Sequence, residues 1–137
     1  MATNNYFGNA FDAAREQIIG AGDAYVTLSG DTEEYSSVVD LEGYMGVEIA
    51  VEVDFDTTPT DDVTVRYYPC DDVTPTLSDT VGKPLVRMDS GTDPNVQTFS
   101  LPAGHRFVRV GVVQTGATDS HDVRAYARKY RVAGAEA

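Results

Sequence analysis

The sequence contains no tryptophan, one cysteine, two histidines and only ten basic residues among 137. Each scarcity removes a class of function. A lone Cys70 forms no internal disulfide, so the fold does not depend on an oxidising compartment. It lies between Pro69 and the acids Asp71 and Asp72, whose charge disfavours a thiolate. The histidines His105 and His121 with that one thiol fall short of the four Cys or His ligands that most structural zinc sites draw on. There is no P-loop and no Gly-x-Gly-x-x-Gly ahead of a helix, so no nucleotide or organic cofactor is expected. No apolar run approaches the length of a membrane span, and the opening residues lack the basic region and apolar stretch of a signal peptide. The chain reads as soluble and made in a cytoplasm, with no membrane partner.

Basic residues are outnumbered by 22 acidic ones, for a formal charge of −12. That charge repels a phosphate backbone, so nucleic acid is not an expected partner. The imbalance is uneven. Residues 1–100 hold 4 basic and 19 acidic side chains, whereas residues 101–137 hold 6 basic and 3 acidic.

What the chain has in quantity is alternation. Val47 to Asp56 reads Val-Glu-Ile-Ala-Val-Glu-Val-Asp-Phe-Asp, apolar at odd positions and mostly acidic at even ones. This is the pattern of a half-buried strand with one solvated face. Strand-like runs recur at Ala24–Leu28, Tyr35–Leu41, Gly46–Phe55, Val63–Tyr68, Leu85–Met88, Val96–Leu101, Arg106–Gln114 and Val123–Val132, separated by clusters of Gly, Pro, Asp, Ser and Thr. The expected fold is all-β: a two-sheet antiparallel sandwich or jelly roll of about eight strands. Val47, Ile49, Val51, Val53 and Phe55 should line one buried face, with Val63, Val65 and Tyr67, and Val108, Val110 and Val112, facing the same layer. The domain spans residues 24–132, preceded by an arm of residues 1–23 and followed by a tail of residues 133–137. Within the arm, Asn9 caps a short predicted helix through Phe11, Ala14 and Ile18 that ends at Gly20. A helix of that length is marginal alone. It either packs across the sandwich or lies on a neighbour.

Two stretches hold the residue types of chemistry. Thr118-Asp119-Ser120-His121-Asp122 contains serine, histidine and aspartate, but a hydrolase triad is assembled from different elements, and no Gly-x-Ser-x-Gly elbow is present. A turn whose Asp and Ser bond the local backbone is the better reading, and no catalytic residue is assigned. Asp54, Asp56, Asp61 and Asp62 bracket one turn and would suit calcium, as would Asp71 and Asp72, yet the spacing is not that of an EF-hand. A solvated acidic rim is the simpler account, with calcium left as the one open exception.

The closing strand places Arg124, Tyr126, Arg128 and Tyr130 on one face. Tyr and Arg are enriched at binding hot spots, so this face reads either as an interface or as rings packed at the core edge with hydroxyls in water. Phe7 and Phe11 in the arm need apolar cover that a short segment cannot supply, which adds them to the candidate interface.

The stretch from Glu34 to Tyr44, the Val47 strand, Arg106-Phe107-Val108-Arg109-Val110-Gly111-Val112 and the basic, Tyr-rich closing strand together resemble small β-sandwich virion proteins of tailed bacteriophages, over roughly residues 30–132. The resemblance implies a capsid decoration, or cement, protein: a non-enzymatic homo-oligomer, often a trimer, made in the host bacterial cytoplasm and seated on the major capsid protein or other virion subunits at the capsid surface. It transfers no functional residue. A tail or head-completion component has the same composition. A carbohydrate- or receptor-binding sandwich would normally offer aromatic platforms, and the lack of Trp counts against it.

Overall fold

The computed structural model describes residues 9–11, 15–70, 83–90 and 95–132. Among them lie eleven strand segments: β1 (Asn9–Phe11), β2 (Glu16–Ile19), β3 (Val26–Thr27), β4 (Glu34–Tyr35), β5 (Val39–Asp40), β6 (Gly46–Asp54), β7 (Val63–Cys70), β8 (Lys83–Met88), β9 (Val96–Pro102), β10 (Phe107–Gln114) and β11 (Asp122–Val132). All pairings are antiparallel. Sheet A has the order β1-β11-β6-β9, with β2 and β3 also on β11; sheet B has the order β4-β10-β7-β8, with β5 also on β10.

The short segments are pieces of longer strands. Along β11, β1 pairs with Tyr130 to Val132, β2 with Ala125 to Ala127, and β3 with Asp122 and Val123. β1, β2 and β3 are therefore pieces of one interrupted edge strand. In the same way β4 and β5 follow one another along β10. Counted by position there are eight strands, four per sheet, and the chain passes between the sheets at almost every connection. That is a jelly roll.

The predicted helix over Asn9 to Ile18 is not formed: Asn9–Phe11 and Glu16–Ile19 are strands, and Ala14 lies outside the described residues. Phe11, Ala14 and Ile18 do fall at helical spacing, but Ile18 and its neighbour Ile19 are both buried. Two adjacent β-branched residues suit an edge strand that docks on β11 and gains its hydrogen bonds there, whereas a helix this short finds no such support. The described residues of the arm thus lie on the chain's own sheet. It breaks where Gly20 and Gly22 take positive φ and Asp23 follows at φ 64°. The Gln17 amide closes that break, donating to the carbonyls of Ile19 and Ala24 and accepting from the Asp23 N–H.

The core follows the alternation. Val47, Ile49, Val51 and Val53 of β6 are fully buried, with Phe55 half-buried at the edge. Asp54 is exposed, while Glu48 and Glu52 are only half-exposed because β6 is flanked on both sides by β9 and β11. Val63, Val65, Val108, Val110 and Val112 meet this row from sheet B, and Val123, Ala125 and Ala127 complete it from β11. Tyr67 packs half-buried against the core, while Tyr68 on the opposite face of β7 is buried under Glu33 and Tyr35. Tyr68 packs edge-on to Tyr35 and donates its hydroxyl to Glu33 at 2.5 Å, which pins the β4 edge to β7.

Each buried Val, Leu or Ile contributes about 1.5–3 kcal/mol, so β6 is the most sensitive strand to truncation. Ile49→Ala should lower stability by about 2–5 kcal/mol, read from the urea midpoint. Val51→Asp sets an unpaired charge between the sheets and should cost roughly 4 kcal/mol or more. Soluble Val51→Asp protein with a wild-type midpoint would contradict this packing.

Candidate functional site

The densest polar cluster lies at one end of the sandwich, where the β6–β7 and β10–β11 connections both cross from sheet to sheet. Its centre is a reciprocal pair of aspartates. The Asp61 carboxylate accepts from the N–H groups of Thr118 and Asp119, each at 2.8 Å. The Asp119 carboxylate accepts from the N–H groups of Thr60 and Asp61, each at 2.6 Å. Each acid thus caps the loop that carries the other. These N–H groups, with those of Asp61 leading, hold the Asp119 carboxyl below the usual carboxylate range. Gly116 belongs to the arrangement because a Cβ there would stand 2.5 Å from an Asp61 carboxylate oxygen.

His121 is fully buried beneath the pair. Its Nδ1 accepts from the Asp56 N–H at 3.0 Å, and its Nε2 lies 2.8 Å from the Asp61 carbonyl and 3.2 Å from an Asp119 carboxylate oxygen. Two acceptors at Nε2 and a donor at Nδ1 fix the Nε2–H tautomer. Gln114 completes the cluster: its amide donates to the carbonyls of Gly30 and Asp119, and its oxygen accepts from the His121 N–H. The Asp56 carboxylate takes the Ser120 N–H at 2.8 Å. Both imidazole nitrogens are therefore spent on backbone partners, and Ser120 has no base. The segment 118–122 is a clasp, in line with its reading as a turn.

The four acids proposed for calcium serve separate donors. Asp54 faces solvent, Asp56 takes Ser120, Asp61 takes Thr118 and Asp119, and Asp62 takes Arg87 and Ser90. Bonds from the Ser90 N–H and then Arg87 hold the Asp62 carboxyl low. The chain instead groups Asp56, Asp119 and His121, whose ligand atoms already hold backbone groups. Asp71 and Asp72 lie outside the described residues.

The second feature is the outer face of sheet A, where the candidate interface residues fall. Arg124, Tyr126, Arg128 and Tyr130 of β11 stand opposite Glu52, Ala50, Glu48 and Gly46 of β6. Arg124 bonds the Glu52 carboxylate, donates to the Asp23 carbonyl and lies 4.4 Å over the Tyr25 ring. The Arg124 bond holds the Glu52 carboxyl low. Tyr126 donates to the Asp23 carboxylate at 2.6 Å, which together with burial pushes its phenol up, and the Arg15 guanidinium covers its ring at 3.9 Å. The Tyr130 hydroxyl meets Ser100 at 3.0 Å, and the ring occupies the space that a Cβ on Gly46 would need. Phe11 pairs in register with Tyr130, while Phe7 lies outside the described residues. Arg124 is thus met by the chain's own β6 and β2–β3 loop, and Arg106 by Asp40 and Glu42. Sequence reading missed Arg15, Asp23, Tyr25 and Glu52. The matched spacing of Glu48 and Glu52 against Arg124 and Arg128 was the signal for that pairing.

Between the tall β11 side chains and β9, the small Ala50 leaves a groove of about 300 Å³, bordered by Arg15, Arg128, Glu48, Thr98 and Tyr126. An apolar cleft of about 190 Å³ opens at the end of the sandwich opposite the clasp, among Leu41, Tyr67, Leu101, Pro102, Phe107 and Val108.

No family model matches the sequence, and no curated protein matches it. Among solved structures the chain is similar to the CBM22-1 xylan-binding domain from Paenibacillus barcinonensis Xyn10C, at 13% identity and a TM-score of 0.47, covering 92% of this chain and 88% of that one. A sandwich hosts many unrelated functions, so function has to be argued from side chains.

Removing either half of the clasp strands two N–H groups, one of them buried. Asp61→Ala should cost about 2–4 kcal/mol, measured by thermal or urea unfolding. Because its folded-state pKa is depressed, Asp119 contributes fully above the unfolded carboxylate value of about 3.9 and loses that contribution as the pH falls through its lower folded value. Wild-type stability should therefore drop below about pH 4 more steeply than that of Asp119→Asn. Equal pH slopes would remove Asp119 from this account.

Proposed function

We propose that the protein is a structural module that acts by binding other protein surfaces, and specifically that it decorates and stabilises the capsid of a tailed phage as a homo-oligomer seated on the major capsid protein. One observation carries the non-catalytic part of this reading: in the single segment with hydrolase residue types, 118–122, the histidine and Asp119, with Asp56 and Asp61 beside them, are engaged in backbone hydrogen bonds. Chemistry needs groups that are free to change partners during reaction, and these are committed to holding two loops together. A strongly acidic jelly roll also stays soluble at high copy number and avoids packaged nucleic acid.

Stacking recognition of neutral sugars is less well supported. Among the described residues Tyr25 and Tyr35 are about one-third exposed, and both rings are already engaged, by Arg124 and Tyr68. Tyr126 lies under Arg15.

Quantitative mass spectrometry of purified particles tests the capsid role. The expected result is a copy number in fixed ratio to the major capsid protein, together with rebinding of purified protein to stripped shells and a rise in their melting temperature. A handful of copies per particle would move the protein to the tail, and absence from particles would overturn the proposal.

A further inference from the structure

We infer that the free edge of β9 is an interface on which a second copy of this chain adds its own β9, antiparallel, so that sheet A continues through a two-fold axis into the neighbour. Among the described residues β9 pairs with β6 alone, in an unshifted register from Val96 to Pro102. The bonds that bracket this ladder, from the Val53 N–H to the Asn95 carbonyl and from the Ala103 N–H to the Met45 carbonyl, fix its phase. Odd-numbered residues of β9 turn their backbone groups to β6, and Val96, Thr98 and Ser100 turn theirs away.

Open sheet edges invite association, and native proteins blunt them with short strands, bulges, proline or charge, lysine above all. The other edges here are blunted. β1 to β3 are interrupted by the turn at Gly20, Gly22 and Asp23, and β4 and β5 are two residues each. β8 carries Lys83, Pro84 and Arg87, and its pairing with β7 shifts register. β9 has none of these devices before its last residue. It reads Val-Gln-Thr-Phe-Ser-Leu ahead of Pro102, and residues 94–104 hold no charge in a chain of −12.

Charge and symmetry name the occupant. Two copies that each carry −12 repel one another, so they approach most easily where neither brings charge. With Thr98 on the two-fold axis, it faces Thr98 of the second copy, and Val96 faces the second copy's Ser100. That register uses every outward backbone pair and leaves Pro102, which has no N–H to give, beyond the ladder. Threonine opposite threonine is a favourable cross-strand pair. On the inner face Gln97 comes opposite the second copy's Phe99, a half-buried ring at the rim of the core. Glu52 and Glu48 stand beside Val96 and Ser100 on β6. Glu52 and the second copy's Glu48 are then three strand spacings, or about 14 Å, apart, beyond the screening length of about 8 Å at physiological salt. Antiparallel pairing of a strand with itself closes at two copies, so the unit is a dimer and not the trimer that the virion resemblance implies. The inference rests on the homo-oligomeric part of the reading above, not on its capsid part.

Sedimentation velocity of the full chain over a concentration series, with amide hydrogen exchange, tests the pairing. The expected result is a monomer–dimer equilibrium in which the Val96, Thr98 and Ser100 amides gain protection as dimer forms. Thr98→Lys sets like charges opposite each other on the axis and should raise the dissociation constant at least tenfold at an unchanged thermal midpoint, while Lys83→Gln on β8 leaves it unchanged. Thr98→Cys in a Cys70→Ser background should form an intermolecular disulfide under mild oxidation, a readout that does not depend on how well the lysine variant folds. A monomer at every concentration up to about 1 mM, an oligomer indifferent to folded Thr98→Lys, or failure of the cysteine variant to cross-link would each overturn the inference. Protection of the three amides already complete in the monomer would overturn it in favour of cover by the chain itself. A Thr98-dependent dimer that is absent from particles would leave the pairing standing and remove the capsid role; particle decoration by a protein indifferent to Thr98→Lys would do the reverse.

Discussion

The reciprocal capping of two loops by Asp61 and Asp119 is the constraint on which the rest of the sandwich depends. A jelly roll must carry its chain from one sheet to the other repeatedly, and every crossing leaves backbone groups with no strand partner. At this end two crossings meet, and each supplies the acceptor that the other lacks. The buried His121 and Gln114 then tie both loops to the strands beneath. The valine rows can interdigitate only if the two sheets are held at a fixed offset, and this cluster sets that offset at one end. It also gives the histidine and aspartate of one short segment a structural task, holding two loops together.

Charge follows a similar logic. The acidic outer face of β6 and the basic outer face of β11 are neighbours in one sheet, and the Arg124–Glu52 pair joins them. Arg124 is tied to Glu52 and to the β2–β3 loop, which binds the interrupted N-terminal strand to the closing one. Cross-strand pairs of this kind are individually modest, but here they orient the side chains that frame the groove.

Much of the fold was legible because its signal is local. The alternation from Val47 to Phe55 gave the central strand and its buried face, and the eight strand positions followed from turn residues between runs. Three features were not. Phe11, Ala14 and Ile18 happen to satisfy helical spacing, and only the open edge of β11, more than ninety residues away, makes Phe11 and Ile18 part of strands. The clasp joins residues 58 apart, so Asp61 was read with its sequence neighbours as a possible ion site, when its partners lie in another loop. The basic closing strand was recognised as unusual, but its partners on β6 could be seen only once the strand order was known.

The position of β11 has a consequence for how the chain acquires its shape during synthesis. This strand is the only one that pairs with β1, β2 and β3, and it also covers one side of β6. Thr27 therefore waits 95 residues for Asp122 to appear. Until then the N-terminal strand has no template and β6 has an open edge. Such long-range pairing slows folding and leaves nascent chains prone to association. The acidic residues that alternate along β6 have a second role in that interval: like charges on the unpaired edges of neighbouring chains repel one another, and keep them apart until the closing strand arrives.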